Sequence, residues 1–182
     1  MPPNRIMFIR HAEKPNGTDA GVAPNGTADD ENLIVLGWQR AGALARFFYP
    51  ASGASGLLPP TTIFASGIGH GSKSERPMET VKPLVNLLKA TSTVEFVTTH
   101  LKNDVEPLMK DVATRTATVL IAWEHHLIPS LVAALPNSPV VPKMWPDNRF
   151  DMVWVLDRTD TGWSFSQVPQ LLLAGDSASP IT

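Results

Sequence analysis

The chain has 182 residues, 43% of them hydrophobic and 18% charged, with a formal net charge of −2 at pH 7. This size and composition predict one globular domain spanning residues 1–182. So small a net charge excludes a general electrostatic attraction to nucleic acid or anionic membranes, and any anion site must be a local cluster of basic groups. The absence of cysteine excludes disulfides, thiolate metal sites and cysteine nucleophiles.

Short β-rich apolar segments alternate along the chain with stripes in which apolar residues recur at i, i+3, i+4 and i+7, as on one face of a helix. Pro50 and Pro136 limit the first and last of these helices, because the residue before a proline avoids the helical conformation. In chain order, the predicted elements are strand 6–9, helix 41–48, strand 62–65, helix 81–88, strand 94–97, helix 105–112, strand 119–122, helix 128–135, and strands 152–156 and 163–168.

This alternation predicts an α/β fold, a three-layer α/β/α sandwich in which helices cover both faces of a mostly parallel sheet. The last two strands flank an Arg-Thr-Asp-Thr-Gly turn and are expected to form a C-terminal hairpin. Segments 15–32, 50–60 and 136–146 are rich in proline, glycine and serine and are predicted to be loops, and the last ten residues a tail. The N-terminus lacks a signal peptide's apolar core, and no apolar run approaches the ~20 residues of a membrane span, so we expect a cytoplasmic protein.

Basic residues follow three of the predicted strands at the point where each strand ends. Arg10 and His11 follow the first strand, and a glycine-rich segment that ends at Arg76 follows the second. A Glu-His-His run, residues 124–126, follows the fourth. Because ligands of parallel sheets bind at the carboxyl ends of the strands, two arginines and two or three histidines are expected to converge at one edge of the sheet.

Such a cluster suits phosphoryl transfer through a histidine. Arginine binds phosphoryl oxygens bidentately and stays protonated while doing so. An imidazole can attack phosphorus to form a covalent intermediate, and a second, protonated imidazole can stabilise the charge of the transition state. The residues therefore predict a phosphoryl-transfer site that requires neither a metal nor a cofactor.

The glycine-rich segment, Gly67-Ile-Gly-His-Gly-Ser-Lys-Ser74, looks at first like a nucleotide-binding P-loop. That motif requires a glycine five residues after its first, where Ser72 stands here. Its helix would begin at the Lys-Ser pair and would then contain Pro77 in its interior, which is unfavourable. Pro77 is better placed near the first helical position, with Arg76 just before it beside unpaired helix N–H groups.

Four motifs resemble those of the histidine phosphatase superfamily, which is phosphoglycerate-mutase-like. Residues 10–13, Arg-His-Ala-Glu, resemble its Arg-His-Gly-Glu signature, and residues 36–41, Leu-Gly-Trp-Gln-Arg-Ala, its Leu-Thr-x-x-Gly-x-x-Gln-Ala helix start. Residues 76–80, Arg-Pro-Met-Glu-Thr, match its Arg-Ala-x-x-Thr element. Residues 120–125, Leu-Ile-Ala-Trp-Glu-His, resemble the strand that carries its second histidine. The motifs occur in the order of the family.

The resemblance implies a catalytic domain in which His11 is the nucleophile that becomes phosphorylated. Arg10 and Arg76 would bind the phosphoryl oxygens, and His125 would be the second histidine of the pocket, with His126 as the alternative. The Trp-Asn that follows the signature in mutases is missing, which favours a phosphatase. The implied substrate is a phosphorylated small molecule or a phosphoprotein, either a phosphomonoester or a phosphoramidate such as phosphohistidine.

The acid that protonates the leaving group is not specified by a motif. Glu124 lies beside His125 and is our choice, provided that burial raises its pKa toward the working pH. The alternatives are that Glu124 only orients a histidine or arginine, that Asp104 or Glu106 after the third strand is the acid, or that no such acid exists.

Two other functions use the same residues. His11, Glu13, His125 and His126 offer imidazole and carboxylate ligands for zinc in a metal-dependent hydrolase, although Arg10 and Arg76 would repel a cation. A pseudoenzyme could keep the phosphate pocket without turnover. His70 and His100 are predicted to be loop residues, and Trp38, Trp123 and Trp145 to be core or rim aromatics, with residues 145–149 bordering the mouth of the site.

Overall fold

The computed structural model describes residues 3–49 and 57–182, so residues 50–56 of the predicted loop 50–60 lie outside the described chain. In this part of the chain no helix has both the length and the apolar character needed to cross a membrane. The strands are β1 (Arg5–Arg10), β2 (Thr62–Ala65), β3 (Glu95–Val97), β4 (Thr118–Trp123), β5 (Met152–Arg158) and β6 (Trp163–Pro169), and the helices are α1 (Val35–Phe48), α2 (Arg76–Thr91), α3 (Val105–Val112) and α4 (Ile128–Ala133).

The strands form one six-stranded sheet in the order β3-β2-β4-β1-β5-β6. The first four strands in this order are parallel, with Ile6 of β1 opposite Val119 of β4 and Ile63 of β2 opposite Leu120. β5 runs antiparallel to β1, and β6 returns antiparallel to β5. The predicted mostly parallel sheet and the C-terminal hairpin are both confirmed.

Helices cover both faces of the sheet because its central strands are apolar on both faces. Ile6 and Phe8 of β1 belong to the core formed with α3 and α4, whereas Met7 and Ile9 belong to the core formed with α1 and α2. Successive strand residues point to opposite faces, so one strand serves both cores. The fold is therefore the predicted α/β/α sandwich, in which the carboxyl ends of β1, β2 and β4 share one edge.

The helix boundaries differ from the predicted ones where local chemistry outweighs the apolar pattern. α1 begins at Val35, six residues before the predicted start. The apolar pattern missed this first turn because Val35 and Leu36 are exposed and do not belong to the buried stripe of the helix. α2 begins at Arg76 with Pro77 in its first turn, where a missing N–H costs no hydrogen bond. α4 ends at Ala133, two residues short of the predicted end.

The expected C-terminal tail is wrong, because the last ten residues pack against the fold. Asp176 accepts hydrogen bonds from Nη2 of buried Arg40 at 2.7 Å and from the backbone N–H of Leu172 at 2.7 Å. Ile181 is buried, and its backbone exchanges two hydrogen bonds with the amide side chain of Gln167. A buried guanidinium requires charged partners, and Arg40 obtains one of them from this segment.

Candidate active site

The structure brings Arg10, His11, Arg76 and His125 to the same edge of the sheet. Arg10 ends β1, Arg76 begins the helix after β2, and His125 begins a short 3₁₀ turn after β4. Burial is the largest cause that lowers the pKa of His11, and the proximity of Arg10, Arg76 and His125 lowers it further. The residues that the strand ends were predicted to bring together therefore lie close enough to His11 to change its pKa.

His11 is a buried, neutral imidazole with a defined tautomer. Its Nδ1 lies 2.8 Å from the carbonyl oxygen of Ala12, so Nδ1–H donates and the lone pair lies on Nε2. Burial is the largest cause that lowers the pKa of His11 to about 3, and the hydrogen bond to Ala12 opposes it only in part. The backbone N–H of His11 donates to the carbonyl of Trp123 at 3.0 Å, which fixes the residue against β4.

Arg10 is held by a loop that the sequence did not connect with it. Nη1 donates to the carbonyl oxygens of Pro146, Asp147 and Arg149, and the ring of Phe150 lies 3.8 Å from the guanidinium carbon. Nε and Nη2 are buried and have no hydrogen-bond partner among the described residues. Burial lowers the pKa of Arg10 to about 10, so the guanidinium stays charged at neutral pH. Its Nε and Nη2 groups remain available to donate hydrogen bonds to an anion.

Arg76 lies in the first turn of α2 and is tied to the His11 segment through Thr80. Its Nη1 donates to the carbonyl of Asp30 at 2.7 Å, while Nε is buried without a partner among the described residues. The hydroxyl of Thr80 accepts from the backbone N–H of Ala12 at 2.8 Å and donates to the carbonyl of Arg76 at 2.7 Å. The threonine of the Arg-x-x-x-Thr element therefore joins the arginine to the strand end that carries the histidine.

The two neighbouring histidines occupy different environments. His125 is 2% exposed, whereas the side chain of His126 is 66% exposed. Their rings stack with centroids 3.9 Å apart. The structure therefore places His125 on the protein side and His126 on the solvent side of this pair.

Two carboxylates contact both of these imidazoles. Oε1 of Glu124 lies 2.9 Å from Nδ1 of each ring. Oδ1 of Asp147 lies 2.5 Å from Nε2 of His125 and 3.2 Å from Nε2 of His126. Asp147 lies in the same loop whose carbonyls bind Arg10, and the sequence placed that loop only at the mouth of the site.

Glu124 does not meet the condition set for a leaving-group acid. Burial alone would raise its pKa, but the contacts with His125 and with the ring and backbone of His126 lower the pKa to about 2. The carboxylate is therefore ionised at neutral pH and cannot supply a proton there. This environment fits the alternative in which Glu124 orients a histidine.

The other candidate acids are engaged or exposed elsewhere. Oδ2 of Asp104 accepts from the backbone N–H of Leu101 at 2.8 Å, and Glu106 is exposed on α3. His100 contacts Asp111 at 2.8 Å, and His70 is exposed in the glycine-rich loop. No hydrogen bond or ion pair among residues 3–49 and 57–182 joins these side chains to Arg10 or His11.

The predicted zinc ligands are not brought together as one set. Glu13 accepts from Nε of Arg40 at 2.8 Å, and Nδ1 of His11 donates to Ala12. A different group, Glu124, His125 and His126, has ligand atoms within 4.8 Å of one another and would suit a metal ion. A metal ion bound at this second group would therefore not be held by His11 or Glu13.

The glycine-rich segment is a closed turn and not a phosphate cradle. Gly69 and Ser72 exchange backbone hydrogen bonds at 3.0 and 3.1 Å. The backbone of Gly67 approaches so closely that a Cβ there would lie 2.1 Å from the carbonyl oxygen of Thr98. The glycines thus serve a tight turn and a close backbone approach, and the helix begins at Arg76, as the position of Pro77 predicted.

The three tryptophans singled out in the sequence pack with the fold. Trp123 and Trp145 are buried, and Nε1 of Trp145 donates to the carbonyl of Arg149 at 2.9 Å. Trp38 is half-buried and donates to the carbonyl of Val22 at 2.8 Å. Trp145 thereby supports the loop that holds Arg10.

Glu79, one turn along α2 from the Arg76 position, is a buried carboxyl that the sequence did not reveal. Oε2 accepts from the backbone N–H of Leu33 at 2.9 Å, and Oε1 has no partner among the described residues. Burial raises its pKa to about 7, with Glu75 adding to the rise. The folded state therefore holds this proton up to about pH 7, whereas the unfolded chain releases it near the ordinary glutamate pKa of 4.5.

Replacing Glu79 with glutamine is expected to stabilise the protein at pH 8 by about 1–2 kcal/mol, allowing for solvent screening. The raised pKa means that stability present at low pH is lost as the pH rises toward 7, and glutamine keeps the acceptor without acquiring the charge. Urea unfolding at pH 8 and pH 5 measures the effect, which should shrink at pH 5. Glu106→Gln on the exposed surface is the control, and an equal gain at both pH values would contradict the explanation.

Comparisons of the fold agree with the sequence motifs. No protein-family model matches the sequence, and no curated protein matches it. The fold is similar to that of mycobacterial glucosyl-3-phosphoglycerate phosphatase in complex with VO3, with TM-score 0.56 and 16% identity over 90% of this chain and 97% of that chain. It is also similar to a phosphoserine phosphatase variant from Entamoeba histolytica in complex with phosphoserine, with TM-score 0.55 and 11% identity over 93% and 98%.

Phosphoglycerate mutase from Plasmodium falciparum is a third similar structure, with TM-score 0.51 and 12% identity over 98% of this chain and 96% of that chain. At such identities the likeness concerns the fold, which all three share over nearly their whole length. Together with the sheet order and the strand-end residues, it identifies the architecture. The chain has a phosphoglycerate-mutase-like fold, which is the fold that the resemblance of the four motifs implied.

Proposed function

We propose that the protein is a phosphatase that hydrolyses a phosphomonoester or a phosphoramidate through a phosphohistidine intermediate on His11. The observation that carries this proposal is the state of His11, a neutral imidazole whose Nε2 holds a lone pair beside two arginines with unpartnered N–H groups. A nucleophilic nitrogen and preorganised cations for the phosphoryl oxygens are the two things that the chemistry requires.

In the first step, Nε2 of His11 attacks phosphorus and the bond from phosphorus to the leaving oxygen or nitrogen breaks. The unpartnered N–H groups of Arg10 and Arg76 donate to the phosphoryl oxygens as charge develops on them. Nδ1–H of His11 stays hydrogen-bonded to the Ala12 carbonyl, which supports the positive charge that the imidazole gains. The leaving group takes the bonding electron pair.

In the second step, a water molecule attacks the phosphohistidine, the P–N bond breaks, and its electrons return to Nε2. Inorganic phosphate leaves and His11 is again neutral. We assign Nδ1 of His125, which is buried and has no hydrogen-bond partner among the described residues, to the phosphoryl oxygens as a donor, while Asp147 contacts Nε2 of the same ring. Both carboxylates are acceptors, because the contacts with the imidazoles lower the pKa of each.

This arrangement favours leaving groups that do not require a carboxylic acid. With Glu124 ionised, an alkoxide would leave without a proton donor from that residue. A phenol or the imidazole of phosphohistidine is a much better leaving group than an alkyl alcohol. We therefore expect aryl phosphates and phosphoramidates to be better substrates than simple alkyl phosphates.

The test is incubation with 4-nitrophenyl phosphate with and without EDTA, combined with an alkaline quench to trap phosphorylated protein. We expect turnover that EDTA does not change and a phosphoprotein that is stable in alkali but labile in acid. Loss of activity with EDTA would instead favour a metal-dependent hydrolase, for which the Glu124, His125 and His126 cluster supplies the ligands. Phosphate binding without turnover of either an ester or a phosphoramidate would favour the pseudoenzyme.

A further inference from the structure

A groove with a volume of about 600 Å³ adjoins the proposed phosphoryl site. One wall is the loop after β1, residues 13–22, and the other is the first turn of α1. Asp147 and Phe150 also line the groove. Its volume is that of a pocket for a small organic group, which is larger than a phosphate alone requires.

Two residues that line the groove contact residues of the proposed site. The ring centroid of Phe150 lies 6.4 Å from that of His11, and the same ring lies against the guanidinium of Arg10. Asp147, which also lines the groove, contacts His125. The groove is therefore placed to receive the part of the substrate that is attached to the phosphoryl group.

The helical wall exposes large apolar side chains. Val35 is 61% exposed and Leu36 is 44% exposed, while the buried face of the same helix is formed by other residues, beginning with Gly37. Ile34 and Phe150 continue this apolar lining. Adjacent exposed apolar residues beside a reactive centre are typical of a surface that binds an apolar group.

The charged lining is unfavourable to an anionic group. Asp19 and Asp147 contribute two exposed carboxylates, whereas the buried carboxylate of Glu13 is paired with Arg40, and Lys14 is the one cation among the described residues that line the groove. Phosphoserine and phosphoglycerate, the compounds in the names of two similar structures, carry a carboxylate close to the phosphate. A carboxylate in this groove would meet more like charge than opposite charge.

We infer that the leaving group of the substrate is a largely apolar, uncharged or cationic organic group that binds along Val35, Leu36 and Phe150. This inference rests on the proposed function, because it concerns the group that the phosphatase reaction releases. It excludes small carboxylate-bearing phosphates as preferred substrates. It includes substituted phenyl phosphates.

Three aryl phosphates of matched chemistry test the inference: phenyl phosphate, 4-propylphenyl phosphate and 4-(2-carboxyethyl)phenyl phosphate. Their phenols have similar acidity because saturated carbon separates each substituent from the ring, so phosphate release reports mainly on binding in the groove. Each buried methylene contributes about fourfold. We expect kcat/KM for the propyl ester to exceed that for the carboxyethyl ester by about tenfold or more.

Variants of the groove locate the effect. Val35→Thr combined with Leu36→Asn should lower kcat/KM for the propyl ester about tenfold, chiefly through KM, and Asp19→Lys should raise kcat/KM for the carboxyethyl ester. Val140→Thr is the control, because Val140 is 95% exposed and does not line the groove. All of these positions are exposed or partly exposed at the surface, so the variants should fold.

The outcomes separate the two proposals. Turnover of phenyl phosphate with equal kcat/KM for the propyl and carboxyethyl esters would overturn the inference and leave the proposed function standing. A preference for the propyl ester that survives the Val35/Leu36 double variant would overturn it as well, since the preference would then arise elsewhere. No turnover of any of the three esters would overturn the proposed function and the inference together.

Discussion

His11→Ala is expected to lower kcat for 4-nitrophenyl phosphate by about 10⁴-fold or more and to abolish the acid-labile phosphoprotein. The physical reason is that Nε2 of His11 carries the lone pair that attacks phosphorus, and an alanine supplies no nucleophile in its place. Steady-state kinetics and the alkaline quench, run on the same protein sample, measure the two effects together.

The control separates loss of chemistry from loss of fold. His70→Ala removes an exposed imidazole of the glycine-rich loop and should leave both kcat and the phosphoprotein unchanged. His11→Asn keeps a polar side chain in the buried site and should be as inactive as His11→Ala, with cooperative unfolding retained. Substantial activity in either His11 variant would contradict nucleophilic catalysis by this residue.

Arg76→Ala is expected to lower kcat/KM by about 10²- to 10³-fold, the usual cost of removing one preorganised donor to a developing charge. Nε of Arg76 is buried and unpartnered among the described residues, so a phosphoryl group is the partner that we propose for it. Arg76→Lys should recover only part of the loss, because an ammonium cannot donate two parallel hydrogen bonds to a phosphoryl group. Phosphate inhibition constants measured on the three proteins should follow the same order.

Arg46→Ala is the matched control for this series, since Arg46 is exposed in the last turn of α1. It should change neither kcat/KM nor phosphate inhibition. The hydroxyl of Thr80 donates to the backbone carbonyl of residue 76 and not to the Arg76 side chain, so the alanine variant should keep this hydrogen bond. Equal activity of Arg76→Ala and the unmodified protein would show that Arg10 and His125 suffice for phosphoryl binding.

The site residues that lie at strand ends could be predicted from sequence because topology alone brings them together. Arg10 and His11 follow β1, and His125 follows β4, and these two strands are parallel neighbours in the sheet. Pro77 in turn marked the start of α2 and so the position of Arg76. Each of these inferences needed only local pattern and the rule that parallel strands end at one edge.

The partners of these residues could not be predicted, because they come from distant loops without a periodic pattern. The carbonyls that bind Arg10 belong to residues 146–149, and the carboxylate that contacts His125 belongs to Asp147 in the same loop. A backbone carbonyl has no signature in the sequence. The pKa of Glu124 could not be predicted for a related reason, since the contacts with two imidazoles outweigh the burial that alone would raise it.

Local sequence patterns were enough to predict the α/β fold, the edge of the sheet where the proposed site lies and the basic residues expected there. Hydrophobic periodicity and strand-end position are local properties, so both can be read from the sequence without knowing the tertiary contacts. Three other features are visible only in the folded chain: which nitrogen of His11 is free, which of the two neighbouring histidines is buried, and how the C-terminal segment is bound through Arg40. These depend on desolvation and on hydrogen bonds between residues far apart in the chain, which only the packed structure fixes.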